Sequence, residues 1–287
     1  MIWLIAAVGS AIFAGMTSVL VKIGLEDTDS NVATALRTFV VVLFAWIMVV
    51  ITDSYQPLSQ IQTKSVVYLC LSGLATGASW LCYFKALQLG DVNKVVPIDK
   101  TSTVLTILLA VLLLKEPISL WLVLGMILIL TGTMLMVQNR KIVETKGNNV
   151  AWKIYAVLSA VFASLTAILG KVGIEGVASN YGMAIRTCIV LIMAWLIVFM
   201  QKKQGQIRSI SKKSWCFLVF SGITTGLSWL CYYDALQIGQ ASIVVPIDKM
   251  SIWISVLFAG IFLKEKLSKK AWAGLMLMTI GTLMLLF

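Results

Sequence analysis

Trp80-Leu-Cys-Tyr-Phe-Lys-Ala-Leu-Gln-Leu-Gly90 is followed closely by Val95-Val-Pro-Ile-Asp-Lys100. The pattern returns as Trp229-Leu-Cys-Tyr-Tyr-Asp-Ala-Leu-Gln-Ile-Gly239 and Val244-Val-Pro-Ile-Asp-Lys249, 149 residues further on. Between 72–116 and 221–265, 25 of 45 positions are identical, more than shared composition produces. The same offset, without a gap, lays Trp3 on Trp152, Lys22 on Lys171, Gly24 on Gly173, Arg37 on Arg186 and Trp46 on Trp195. The chain is an internal duplication.

Composition sets the class. Of 287 residues, 60% are hydrophobic and 12% charged, and mean hydropathy is +0.96. No soluble core of this size consumes so much apolar side chain, so the chain reads as an integral membrane protein. The net charge of +11 does not point to nucleic acid. The basic residues lie in short gaps between apolar runs, as in loops facing anionic lipid. Histidine is absent, which removes the commonest general base and metal ligand. Cys70, Cys82, Cys188, Cys216 and Cys231 fall in apolar runs without metal-type spacing and read as small hydrophobes. No nucleophile–base pair, metal cluster or nucleotide-binding loop stands out, so neither an enzyme nor a cofactor is expected.

Ten runs of about 20 apolar residues, the length that crosses a bilayer as a helix, cover 2–23, 32–51, 66–88, 92–114, 119–137, 152–173, 181–200, 215–237, 241–263 and 269–287. Numbered as spans 1 to 10, they predict an all-α membrane protein with ten transmembrane helices in two five-helix repeats, 1–138 and 151–287. A polar linker, 139–150, joins them. The first run starts at Ile2 with no basic n-region or cleavage site and is expected to be retained. Because five is odd, the second repeat enters from the opposite side, and the repeats are inverted about a pseudo-two-fold axis in the membrane plane. With both termini outside, the inner loops hold thirteen lysines and arginines between Arg140 and Lys270, the outer loops little beyond Lys64 and Lys115. The bias predicts N-out and C-out in a prokaryotic cell membrane.

The doubled Trp-Leu-Cys-Tyr-x-x-Ala-Leu-x-x-Gly element resembles the EamA family of the drug/metabolite transporter superfamily. So do the helix after it and the exits Leu114-Lys-Glu116 and Leu263-Lys-Glu265. The resemblance covers the whole chain. It implies a ten-helix inverted-repeat carrier of small molecules, often an exporter, with a central cavity lined by helices 1, 3 and 4 and by 6, 8 and 9. Termini in that family are usually drawn as cytoplasmic, and the charge bias here departs from that.

Charges deep in apolar helices are costly and mark pathways. Asp99, Lys100, Asp248 and Lys249 are therefore candidates for substrate or proton binding, or for a structural ion-pair network. Neighbours on a helix diverge by about 100°, so the inversion suggests cross-pairs: Asp99 with Lys249, and Asp248 with Lys100. Pro97 and Pro246 read either as cavity-opening kinks or as harmless first-turn prolines. Lys85 and Asp234 hold equivalent positions with opposite charge, which suits a zwitterion; the plainer reading is that both snorkel to the interface. Trp80 and Tyr83, with Trp229 and Tyr232, form either an aromatic box or ordinary packing. Lys22 and Lys171 read as snorkelling residues; Arg37 and Arg186 read as carboxylate clamps or as partners of Glu26 and Glu175, the structural reading being preferred for both. Gly73/Gly77, Gly125/Gly132 and their mates read as close-packing seams, and helices 5 and 10 are also candidates for a homodimer contact.

These readings converge on a secondary transporter, an exporter in direction, of a small polar or zwitterionic metabolite such as an amino acid. It works by alternating access in the lipid bilayer, with the halves rocking about the pseudo-axis and a proton or ion as the coupled partner. A lipid-linked flippase and a non-transporting scaffold are the alternatives. The first needs a lateral opening, the second a dry, fully paired interior.

Overall fold

The structure, a computed structural model, describes residues 2–24, 28–89, 95, 98–136, 151–262 and 268–287. Pro97, the linker 139–150 and the exit at 263–265 lie outside them. Regular structure among the described residues is helical: α1 (Ile2–Gly24), α2 (Ser30–Ile51), α3 (Thr63–Leu89), α4 (Ser102–Leu114), α5 (Leu120–Met136), α6 (Ala151–Gly173), α7 (Ser179–Met200), α8 (Lys212–Ile238), α9 (Ala241–Lys249), α10 (Ser251–Phe262) and α11 (Lys269–Met284), with two short 3-10 turns. Asp29, Ser211 and Ser268 cap α2, α8 and α11 by accepting from exposed N–H groups of the first turn. Six helices, α1 to α3 and α6 to α8, are long and apolar enough to cross a membrane.

Span 9, expected as one helix, is two. Pro246 is the sixth residue of α9, past the first turn, so its missing N–H deprives the Ser242 carbonyl of its helical donor. The chain then turns at Met250, whose N–H reaches the Ile247 carbonyl at 2.9 Å, before α10 resumes. The equivalent residue Thr101 turns likewise, its N–H reaching Ile98 at 3.1 Å. Each Asp-Lys pair therefore sits just before a break in its span.

The repeats do not pack as two domains. The most extensive contacts run α3 on α6, α1 on α8, α5 on α11 and α2 on α7, always one helix from each repeat. Glycines allow the close crossings. A Cβ on Gly73 would lie 2.7 Å from Ile189 Cβ in α7, and one on its mate Gly222 2.7 Å from Val40 Cβ in α2. In α5 and α11, a Cβ on Gly132 would lie 2.5 Å from the Gly274 carbonyl, and the reverse distance is also 2.5 Å. The glycines expected as close-packing seams thus form one inside the chain, and a homodimer through spans 5 and 10 (α5 and α11) would use only their outer faces.

Hydroxyls stitch the same crossings. Thr17 and Thr224 hydroxyls meet at 2.8 Å between α1 and α8, and Thr76 and Thr166 at 3.3 Å between α3 and α6. Such a bond contributes about 0.6 kcal/mol on average in a membrane, so no single one governs the fold. The 149-residue offset sorts α1, α2, α8, α9 and α10 into one group and α3, α4, α6 and α7 into the other, each with members from both repeats. The groups are not separate bodies: they meet along α2–α7, one of the most extensive contacts, and along α4–α9 and α7–α8.

At one face Lys203 Nζ donates to Asp29 at 2.6 Å, and Asn31 to Gln201 at 2.6 Å, tying the α2 start to the loop after α7. Partial burial raises the Asp29 carboxyl, but the Lys203 bond and charge and the Asn31 and Val32 N–H groups outweigh it and hold it below its ordinary 3.8. A depressed folded-state value means that its contribution is complete above the ordinary carboxylate range and is lost as pH falls through the lowered value. Thermal unfolding should therefore show an acid limb below about pH 4 that Asp29→Asn flattens. Separately, Gly132→Val should destabilise by about 1–3 kcal/mol, read as a lower Tm in detergent. Gly205→Ala, with nothing within 4 Å of its new Cβ, should leave Tm unchanged.

Candidate functional site

Between the two groups lies a cavity of about 230 Å³. Its wall comes from Ala14 of α1, Ser102, Thr103 and Thr106 of α4, Ala163, Thr166 and Ala167 of α6, Arg186 of α7, Ser228, Trp229, Tyr232 and Tyr233 of α8, and Val245, Asp248 and Lys249 of α9. Five of the six spans named by the family resemblance contribute to this wall. Span 3 does not, and α7 enters it through Arg186.

The carboxylates do not pair as expected. Asp248 accepts from Ser10 Oγ at 2.6 Å and Asp99 from Ser159 Oγ at 2.7 Å. Ser10 and Ser159 are mates, each on the first helix of the opposite repeat. Their backbone carbonyls in turn accept from Ser228 and Ser79, both at 3.1 Å. Neither cross-pair, Asp99–Lys249 or Asp248–Lys100, is an ion pair in the structure. A short serine on the facing helix reaches each carboxylate without drawing an ammonium out of the cavity. Lys249 Nζ instead lies 3.8 Å from Asp248 Oδ2, its own neighbour in the chain; the long lysine stem bridges the angle between adjacent helix positions. Lys100 has Lys249 and Asp99 as charged neighbours, which brings the two lysines towards the pseudo-axis.

The four aromatic candidates are not gathered into one box. Trp229 and Tyr232 line the cavity. Trp80 packs on the cluster around Val32, Ala33 and Ala35, and Tyr83 on Ala86, Val95 and Ala156. Lys85 is exposed and Asp234 half-buried, and neither is among the wall residues. Pro246 is buried in α9 beside the wall residue Val245.

Arg186, for which the structural reading was preferred, is a buried cation of the wall, alongside Lys249. It is 4% exposed. Nε donates to Ser72 Oγ at 3.0 Å and Nη2 to Thr76 Oγ1 at 2.7 Å. The rings of Trp229 and Tyr233 lie 4.9 and 5.6 Å from its guanidinium carbon. The glycines beside Ser72 and Thr76, Gly73 and Gly77, let α7 approach closely enough for those bonds. A sequence signal was present: hydroxyl and glycine alternate as Ser72-Gly73 and Thr76-Gly77 on one helix stripe. Its mate Arg37 gives Nη2 to Thr225 at 2.8 Å, but its buried Nε has no partner. Ser221, which would answer to Ser72, donates to its own Leu218 carbonyl at 2.7 Å.

A second space of about 610 Å³ opens at the end of α8, lined by Lys64, Tyr68, Glu116, Lys171 and Glu175 among others. Lys171 does not snorkel. Its Nζ donates to the carbonyls of Leu236 and, at 2.6 Å, of Gly239. Glu116 accepts from the N–H groups of Ala241 at 2.7 Å and Ser242 at 3.0 Å. A cation at the α8 C-terminus and an anion at the α9 N-terminus each complement a helix dipole. Both gripping residues come from the group that holds α4 and α6, and the gripped turn belongs to the other group.

A family model described as the EamA-like transporter family matches residues 1–138 and 150–287. An uncharacterized transporter in the cobO 3' region of Sinorhizobium sp. is 39% identical over 135 residues, 47% of this chain and 96% of that protein. The uncharacterized transporter YxxF of Bacillus subtilis (strain 168) is 26% identical over 190 residues, 63% of this chain and 58% of that one. A solved crystal structure at 15% identity covers 97% of each chain with a TM-score of 0.79, a likeness that speaks for the fold alone. The two matched segments together cover nearly all of the chain. This multi-pass membrane protein therefore belongs to the EamA-like transporter family.

Proposed function

We propose that the chain is a ten-span secondary carrier that exports a small polar or zwitterionic metabolite by alternating access, with proton coupling through Asp248 and its mate Asp99. One observation carries the reading: a polar cavity holding Arg186, Asp248 and Lys249 lies between two interlocked helix groups. The repeats interdigitate, so they do not rock as halves. The units that move are the two groups, each drawn from both repeats. The grip of Lys171 and Glu116 on the α8–α9 turn spans these groups and serves as a latch at one face. With both termini outside, as the loop charges favour, that face is the external one.

The alternatives fit less well. A flippase needs a side opening to its site. An apolar groove of about 410 Å³ does run between α1, α9, α10 and α11, but its lining shares no residue with the central cavity. A scaffold calls for a dry, paired interior, which a cavity walled by serine, threonine and charged side chains does not provide.

Two measurements test the proposal. In proteoliposomes screened for pH-gradient-driven uptake of radiolabelled amino acids, Asp248→Asn should abolish accumulation and keep a normal fold by circular dichroism; full accumulation refutes its role. For the latch, Glu116→Gln weakens charge-assisted bonds to two amides. Hydrogen exchange at Ala241 and Ser242 should speed up about tenfold or more, since hydrogen bonds to charged groups are worth about 1.5–3 kcal/mol. Unchanged exchange there, and in Lys171→Met, would show that the turn is held by other contacts.

A further inference from the structure

We infer that the central cavity selects a metabolite bearing a carboxylate, and that Arg186 reads that carboxylate. The inference rests on the carrier reading above and names its substrate class. The guanidinium has five N–H donors in a fixed plane. Ser72 and Thr76 take one each from Nε and Nη2, which locks that edge of the fork onto α3. Trp229 and Tyr233 cover it with their rings. Nη1 and the second N–H of Nη2 have no hydrogen-bond partner among the described residues. No aspartate or glutamate among them forms an ion pair with Arg186; the cavity's own carboxylate, Asp248, faces Ser10 and Lys249.

A buried cation without a counter-ion is costly in a membrane protein. A ligand carboxylate fits the free edge: it is planar, accepts two parallel bonds and neutralises the charge. The wall charges are Arg186 and Lys249 against Asp248, a formal sum of +1, which one monoanion cancels. At about 230 Å³ the cavity is smaller than the ~300 Å³ lower bound of drug-sized sites, so the anion is small. Ser102, Thr103 and Thr106 supply hydroxyls for the rest of it. The duplication sharpens the point. Arg37 is not among the wall residues and is held by one hydroxyl, so the cavity has one such reader and one orientation for the carboxylate. Lys85 and Asp234, the pair of opposite sign, take no part in the wall.

The test uses the purified full chain in detergent near pH 7 and measures Tm with matched acids and amides: succinate and succinamide, benzoate and benzamide, L-leucine and L-leucinamide. At least one acid should raise Tm where its amide at equal concentration does not, because a ligand that binds the folded state stabilises it by mass action. Arg186→Gln should lose that shift and Arg37→Gln keep it. If Arg186→Gln fails to fold, Arg186→Lys keeps the charge but loses the fork, and should weaken the acid's apparent affinity by about tenfold or more. Equal shifts by acid and amide, no shift by any acid, an undiminished acid shift in both Arg186 variants, or a shift only by glycerol phosphate would each overturn the inference. Asp248-dependent transport of an amide or amine would leave the carrier standing and the carboxylate reader refuted. An acid-specific, Arg186-dependent shift without transport would do the reverse.

Discussion

Inside a bilayer every polar group must find its partner within the protein, and in this chain the partner repeatedly sits in the other repeat. Asp248 turns to Ser10 and Asp99 to Ser159. Arg37 turns to Thr225 and Arg186 to Thr76. These bonds run from α9 to α1, from span 4 to α6, from α2 to α8 and from α7 to α3, and the last two depend on Gly222 and Gly73, which let backbones approach to distances that a Cβ would forbid. One repeat alone would leave two carboxyl or guanidinium groups unanswered. The fold is therefore a single interlocked body assembled from two copies of one pattern.

Much of this was legible in the sequence. The fixed offset gave the duplication, and the apolar run lengths gave the helices. Helical periodicity says which residues share a face, but not which helix that face meets. The cross-pairs of Asp99 and Asp248 with lysines were reasonable from symmetry. They failed because a serine hydroxyl on the opposing helix reaches each carboxylate at ordinary hydrogen-bond length, while Lys249 lines the cavity beside Asp248. The break at Met250 was partly visible as Pro246, but the turn falls four residues later, at the end of the Asp-Lys pair. Arg37 and Arg186 were both legible as carboxylate clamps, but the two look alike in sequence and the structural reading was preferred for each. Two things separate them: the rotation of one hydroxyl, that of Ser72 against that of Ser221, and the residue types around them.

Two of the differences between the halves lie beside Arg186. The Tyr233 ring covers Arg186, and its hydroxyl lies 2.8 Å from where a Cβ on Gly170 would stand. The first repeat has Phe84 in place of Tyr233 and Val21 in place of Gly170. A valine at 170 would occupy the hydroxyl's position, so the glycine and the tyrosine belong together. Exchanging Phe for Tyr and Val for Gly in one half alone makes a symmetric scaffold enclose an asymmetric site, as recognition of one end of a ligand requires.

Symmetry itself accounts for why the interlocked arrangement suits a carrier. The pseudo-two-fold axis exchanges span 1 with 6, 2 with 7, 3 with 8 and 4 with 9. Applied to the group of spans 1, 2, 8 and 9, it yields spans 6, 7, 3 and 4, which is the other group. The two groups are thus each other's mates, and in the carrier proposed above a state open to one face has a counterpart open to the other with the groups' roles reversed. The same operation acts on the latch. Glu116, Lys171 and Gly239 have sequence equivalents in Glu265, Lys22 and Gly90. In the carrier proposed above, an inverted repeat would call on those equivalents, in place of Lys171 and Glu116, when the opposite face closes.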